Sequence, residues 1–278
     1  MDASPSAQGS PIAFVGGGNM AGAIVGGLVA AGRAPHSIVV VEPFADTRER
    51  LAAAHGVRVL EAADASLAAA SMVVWAVKPQ SFADAARPVA PHVRGALQLS
   101  VMAGIRSDAI VAATGSPRVV RAMPNTPALI GLGIAALYAR PAVTPGDREA
   151  ADAVLAPTGE RLWVPREADL DAVTALSGSG PAYVFYFIEA MMQAAVEMGL
   201  SAEQGRRLAQ ATFAGASELA RRSDEPPETL RARVTSKGGT THAAIGALDA
   251  AGVKQAFVAA LHAACRRARE LGDEFGKT

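Results

Sequence analysis

Along the first 165 residues, apolar positions come in short unbroken blocks rich in β-branched side chains. They are IAFVG at 12–16, SIVVVE at 37–42, VRVL at 57–60, MVVWAV at 72–77, LQLSV at 97–101 and RVVRAM at 118–123. Between them lie alanine-rich stretches with helical spacing, such as ADTRERLAAAHG at 45–56. A strand buried on both faces shows no polar side, so continuous apolar blocks separated by helices predict a parallel sheet covered above and below. GIAALYAR at 133–140 and ERLWVP at 160–165 add two edge strands around a helix near 145–156.

The pattern changes between Pro165 and Asp169. No strand-like block follows, and Val253, Phe257, Leu261, Ala264, Ala268 and Leu271 recur at helical intervals near the C-terminus. Pro226 and Pro227 suit the first turn of a further helix. The expected fold is α/β: a doubly wound, mostly parallel sheet over 12–167, then an all-helical part over 168–278, with residues 1–11 a disordered leader. The helix at 181–198 is unusual, because Glu189, Gln193 and Glu197 form one polar stripe and nearly everything else is apolar. Such a helix has to be buried on several sides, and a small helical domain has little interior to offer. A second copy of the chain is expected to cover it, giving a homodimer or a higher homo-oligomer built from dimers.

Composition narrows the function classes. The chain has 278 residues, 26 basic and 26 acidic, for zero formal net charge. That balance carries no electrostatic footprint for nucleic acid or for an anionic membrane. Cys265 is the single cysteine, which rules out an internal disulfide or a multi-cysteine metal site and fits a reducing, cytoplasmic setting. No set of His, Asp and Glu shows metal-ligand spacing, so no metal is expected. The nearest approach to a membrane span, at 181–199, is interrupted by Glu189 and Glu197.

The first chemical signal is Gly16-x-Gly18-x-x-Ala21, directly after a strand and at the head of a helix. Glycines there close the turn and let a pyrophosphate approach the backbone, while Asn19, Met20 and Ala21 open a helix whose N-terminus attracts phosphate. Gly22, Gly26 and Gly27 keep that helix close to the sheet. Glu42 ends the second strand, where an acid would bind ribose hydroxyls and favour NADH over NADPH unless Arg48 or Arg50 compensates. Ligands of open α/β sheets sit at the C-terminal strand ends. Ala76, Val77, Lys78 and Pro79, then Val101, Met102 and Ala103, and then RAMPNTP at 121–127 are therefore expected to line the cofactor cleft.

The second signal is TSKGGTTHAAIGALDAAG at 235–252, a glycine-rich helix start with Thr240 or Thr241 able to cap it. SGSGP at 177–181 reads as a tight turn opening the apolar helix, and Ser177 and Ser179 have no histidine nearby to make a hydrolase. Of the histidines, His36, His55, His92 and His262 read as surface residues, and only His242 neighbours the second loop.

Taken together, FVGGGNMAGAI, AVKPQ, RAMPNTPALIGLG, LSGSGPAYVFYFIEAM and VTSKGGTTHAAI closely resemble the pyrroline-5-carboxylate reductases, in family order and over nearly the whole chain after residue 11. The resemblance implies a Rossmann domain followed by an all-helical dimerisation domain, and reduction of a cyclic imine by NADPH or NADH, the step that completes proline synthesis. It implies cofactor contacts from the glycine loop, from 76–79, from 101–103 and from Glu167. It places the substrate carboxylate at Ser236, Gly238, Gly239, Thr240 and Thr241, with Asp224 beside it. Lys237 stands where the family usually has proline, and Glu42 where many members have small or polar residues. In this reading the N–H groups of Gly239, Thr240 and Thr241 take the carboxylate and the Thr241 hydroxyl donates to the imine nitrogen. The absence of a lysine on the helix after SGSGP fits that chemistry, because a protonated imine needs no strong general acid. Two other readings share the scaffold: reduction of another small imine or keto acid, and a nucleotide-binding sensor without turnover.

Overall fold

The computed structural model describes residues 10–275, so the expected leader lies almost wholly outside the described residues. The six apolar blocks form β1 (Ile12–Val15), β2 (Ile38–Val41), β3 (Arg58–Leu60), β4 (Met72–Trp75), β5 (Leu97–Ser100) and β6 (Val119–Met123). With β7 (Gly133–Ala139) and β8 (Gly159–Trp163) they make one sheet in the order β3-β2-β1-β4-β5-β6-β7-β8. Pairing is parallel from β3 through β6, antiparallel between β6 and β7, and parallel between β7 and β8. The order turns back on itself between β1 and β4, which is where an open α/β sheet leaves a crevice at its C-terminal edge.

One expectation is corrected: β7 is not an edge strand. It is hydrogen-bonded on both sides, and β3 and β8 form the edges. The run GIAALYA is apolar at almost every position and largely buried, so it takes the interior place, while β8 is mostly exposed.

Helices α1 (Asn19–Ala30), α2 (Ala45–His55), α3 (Phe82–Val93), α4 (Ser107–Thr114), α5 (Pro145–Leu155) and α6 (Asp169–Val173) accompany the sheet. Phe14, Ile24, Val40, Leu99 and Leu155 belong to one core, and Trp75, Phe82, Val89, Ile105 and Ile110 to the other. Trp75 is fully buried, and its indole N–H donates to Gln98 Oε1 at 2.8 Å, so the apolar layer leaves no polar atom of that ring unmet.

The start of α5 illustrates how local sequence fixes an element. Thr144 and Asp147 form a reciprocal capping box, and Arg118 Nε donates to Asp147 Oδ2 at 3.0 Å. The Arg118 guanidinium, with the Thr144 bonds, holds the Asp147 carboxyl down at about 2 against the opposing effect of burial. Because this pKa is depressed on folding, the stability it confers is present above the ordinary value near 4 and is lost as pH falls through about 2. Asp147→Asn is expected to cost about 1–2 kcal/mol at neutral pH. Chemical denaturation of both forms should show that gap closing as pH falls from about 4 to about 2.

The described chain divides into two compact units, one ending at Gly178 and resuming at Ala264, the other spanning Ser179–Ala263. The second contains α7 (Gly180–Glu197), α8 (Ala202–Arg221), α9 (Pro227–Arg233), α10 (Thr240–Ala250) and the first part of α11 (Val253–Phe275). Helices α7 and α8 approach closely: a Cβ at Gly205 would stand 2.8 Å from the Ala195 Cβ. Tyr183 and Phe187 each meet Phe257 edge-on, with centroids 5.6 and 5.7 Å apart. Yet only Ala195, Gly205 and Ala209 are buried anywhere in this unit. Phe185, Tyr186, Val196, Met198, Leu208 and Leu219 are all exposed. The polar stripe of α7 is present as expected, with Gln193 donating to Glu197 at 2.8 Å.

Candidate active site

Two clusters carry the chemistry, one on each unit. On the first, β1 runs into the glycine loop and then α1. Gly16 has φ +94°, and a Cβ there would stand 2.7 Å from the Ala76 carbonyl oxygen and 2.9 Å from Val77 Cγ1. That close approach joins the loop to the Ala76–Pro79 segment after β4. Gly18 has no heavy atom within 4 Å of where a Cβ would lie, so its backbone faces open space. The first helical bond of α1 runs from Gly22 N–H to the Gly18 carbonyl. Among the described residues, no backbone carbonyl accepts from the N–H groups of Gly18, Asn19 and Met20. Open space, free N–H groups and a helix N-terminus together fit a dinucleotide diphosphate. A cleft of about 320 Å³ adjoins the loop, lined by Gly18, Asn19, Gly22, Arg50, Leu51 and Leu129 among others.

Glu42 lies under this loop rather than out on its rim. It is buried, its Oε2 accepts from Gly17 N–H at 2.7 Å and its Oε1 from Phe44 N–H at 3.0 Å. Arg48 Nη1 donates to the carbonyls of Glu42 (2.9 Å) and Pro43 (2.7 Å), bringing a cation to the same turn. Phe44, which sequence reasoning passes over, is 71% exposed beside them. An exposed aromatic at the end of β2 is the only signal that could have drawn attention to it. Lys78 is exposed after β4, while Met102 is buried and Val101 N–H donates to the Trp75 carbonyl at 3.0 Å, carrying β5 into its loop.

Glu167, expected at the cofactor, turns into the protein. Its Oε1 accepts from Ser107 N–H at 2.6 Å and from Arg121 Nη1 at 2.8 Å, and its Oε2 from the Ser107 hydroxyl at 2.6 Å. Burial pushes this carboxyl up, but the Ser107 bonds and the Arg121 charge outweigh burial and hold it below its ordinary value. The carboxylate thus supplies the N-terminus of α4 with an anion.

The second cluster is the start of α10, and here two expectations are corrected. The N-cap is Gly239, in extended conformation, and neither Thr240 nor Thr241 caps the helix with its side chain. The helix begins one residue earlier than a threonine cap requires, because Gly238 takes φ +76° and turns the chain there. The Gly239 N–H is spent on the Ser236 carbonyl at 3.1 Å, so it is not free for a ligand. Among the described residues, the N–H groups of Thr240, Thr241 and His242 have no backbone acceptor. A Cβ at Gly239 would fall 2.7 Å from Ser236 Oγ, which ties these two positions together. Thr241 is half-buried, and Lys237, Thr240 and Asp224 are exposed.

SGSGP departs from the expected tight turn. Thr174–Gly178 forms a π-helical turn, the wider winding often found at functional positions, and runs on into α7. A Cβ at Gly178 would fall 2.6 Å from Met123 Cε, so the end of that flexible side chain would have to shift to admit one. His55 is half-buried against Gly26 of α1 rather than at the surface.

Comparison with known proteins places these clusters in context. Residues 167–271 match the family model described as pyrroline-5-carboxylate reductase dimerisation, and residues 11–104 match that of NADP oxidoreductase, coenzyme F420-dependent. The chain is 42% identical to the pyrroline-5-carboxylate reductase of Pseudomonas aeruginosa, covering 96% of this chain and 98% of that one. It is similar in structure to a pyrroline-5-carboxylate reductase from Coxiella burnetii (TM-score 0.86, 35% identity, 94% and 98% of the two chains). The Plasmodium falciparum pyrroline carboxylate reductase, solved with NADP bound, also aligns (TM-score 0.84, 27% identity, 95% and 99%).

Proposed function

The chain belongs to the pyrroline-5-carboxylate reductase family, and from this we infer that it reduces the C=N bond of 1-pyrroline-5-carboxylate to give L-proline. The observation carrying the reading to residues is the pair of open helix N-termini, at Gly18–Met20 and at Thr240–His242. The first suits a diphosphate and the second a carboxylate, the two anions that this reaction brings together. When bound, NADPH or NADH supplies the hydride that the imine carbon accepts.

The chain's own residues bind and orient. Gly16, Gly18, Asn19, Met20 and Ala21 hold the dinucleotide phosphates, and Ala76, Val77, Lys78, Pro79, Val101, Met102 and Ala103 line its path. Phe44 offers a face to the adenine. Ser236, Gly238 and Gly239 shape the substrate loop, and the Thr240 and Thr241 N–H groups take the carboxylate, with Asp224 as the acid beside that site. The imine nitrogen takes its proton from solvent before reduction, and the Thr241 hydroxyl donates to the lone pair that forms on that nitrogen as hydride reaches the neighbouring carbon, stabilising charge where the reaction changes it. The apolar faces left open in the helical unit support a homodimer, and the single cysteine supports a cytoplasmic setting.

Glu42 acts as a brace for the loop. Glu42→Gln is expected to weaken NADPH and NADH binding by a similar factor, on the order of tenfold, because one loop N–H loses a charged acceptor. Cofactor titrations by fluorescence check this; a variant that binds NADPH better and NADH worse would instead make Glu42 a ribose ligand.

The function is tested by mixing the purified chain with reduced cofactor and 1-pyrroline-5-carboxylate, then following nicotinamide oxidation and proline formation together. Equal yields of both are expected. Cofactor binding without turnover of any cyclic imine would favour a sensor.

A further inference from the structure

We propose that Arg106 is a positioning residue for imine reduction, fastening the loop after β5 to both stretches of chain that join the two compact units. The proposal rests on the reductase reading above. The chain leaves the first unit at Gly178 and returns to it at Ala264. Just before the exit, Asp171 of α6 accepts one hydrogen bond on each oxygen from Arg106 Nη1 and Nη2, both at 2.9 Å. Just after the return, α11 passes so close that a Cβ at Gly272 would stand 2.6 Å from Arg106 Cζ and Nε. One guanidinium therefore touches the outgoing and the incoming chain.

The loop meets α11 a second time. Gly104 has φ +75°, and a Cβ there would lie 3.1 Å from Phe275 Cδ2 and 3.5 Å from Leu271 Cβ. Glu167 fixes the far end of the same loop through both polar groups of Ser107. Asp171 is only 6% exposed while the Arg106 side chain keeps 22% of its surface open, so the carboxylate is the dry end of the pair, and two parallel donors set its orientation as a single ammonium cannot. Loss of Arg106 leaves a buried carboxylate without its cation. Two functional segments depend on this anchor. Val101, Met102 and Ala103 lie on the cofactor side of the same loop, separated from Arg106 only by Gly104 and Ile105, and the π-helical turn begins three residues after Asp171.

The test uses the full chain with Arg106→Gln, Arg106→Lys and Gly272→Ala, the last displacing the guanidinium without altering either charge. Hydrogen exchange is expected to quicken at 101–107 and 174–180 in all three. In turnover, kcat should fall about 10- to 100-fold while the cofactor dissociation constant changes little. The primary isotope effect with cofactor deuterated at the transferred position should rise, since hydride transfer becomes the slow step. Mere loss of folded enzyme lowers kcat and leaves that isotope effect where it was. Unchanged exchange in the folded variants, or reduced kcat with an unchanged isotope effect, overturns the proposal. Should Arg106→Gln fail to fold, Gly272→Ala decides. A wild-type chain that turns over no imine defeats the reductase reading, and the exchange result still judges the clamp.

Discussion

Thr241→Ala is expected to lower kcat/KM for 1-pyrroline-5-carboxylate by about 10²- to 10³-fold while leaving thermal stability nearly unchanged. The catalytic loss follows from removing a positioned donor at the atom whose charge changes, worth about 3–4 kcal/mol in comparable sites. The stability half follows from the structure of the α10 start. Gly239 is the N-cap, and no side-chain cap bond exists to be lost. Alanine is also the better helix former at that position. A threonine serving mainly as a cap would behave oppositely, costing about 1 kcal/mol of stability and little rate. Thr241→Ser, which keeps the hydroxyl, should recover most of the activity. Steady-state kinetics beside thermal melts separate the two roles, and an unchanged rate for Thr241→Ala would remove its hydroxyl from the chemistry.

The other large effect is expected at Phe185. The helical unit buries only Ala195, Gly205 and Ala209 within one chain, and Phe185 is 58% exposed on α7. In a two-fold interface each substitution acts twice. Removing one phenyl from burial costs about 1.5–3 kcal/mol, and desolvating an aspartate adds to that on both copies. Phe185→Asp is therefore expected to convert a dimer into a monomer, with loss of activity and a much lower melting temperature. Sedimentation velocity at matched concentrations reads this directly. A stable wild-type monomer, or an unchanged dimer in the Phe185→Asp variant, would show that no second copy packs on this face of α7.

The sheet was legible because burial on both faces leaves an unmistakable mark, an apolar block with no alternation. The strands β1, β2, β4, β5 and β6 follow from that mark, whereas β3 lies at the edge and is only partly buried. What it does not encode is order across the sheet, so β7 reads as an edge although it lies between β6 and β8. The glycine loop was legible because Gly16 must take a positive φ against the Ala76 carbonyl, a demand only glycine meets without strain. Direction of side chains was not. Glu42 and Glu167 each fall near a cofactor by position in the chain, yet their oxygens turn to Gly17 and to Ser107 and Arg121. Position fixes which strand end or loop a carboxylate occupies, whereas its partners depend on residues 25 and 60 positions away. The cap of α10 failed for a related reason: threonine is a good N-cap in general, but Gly238 turns the chain so that Gly239 takes the place.

The claim on which the reading depends is that the open N–H groups at Thr240 and Thr241 grip a carboxylate and thereby aim the imine. It is tested most directly by comparing kcat/KM for 1-pyrroline-5-carboxylate and for 1-pyrroline, the same ring without the acid, at saturating NADPH. The carboxylated ring should react about 10²- to 10³-fold more efficiently, the equivalent of two charge-assisted hydrogen bonds. Equal efficiency for the two rings would contradict the claim.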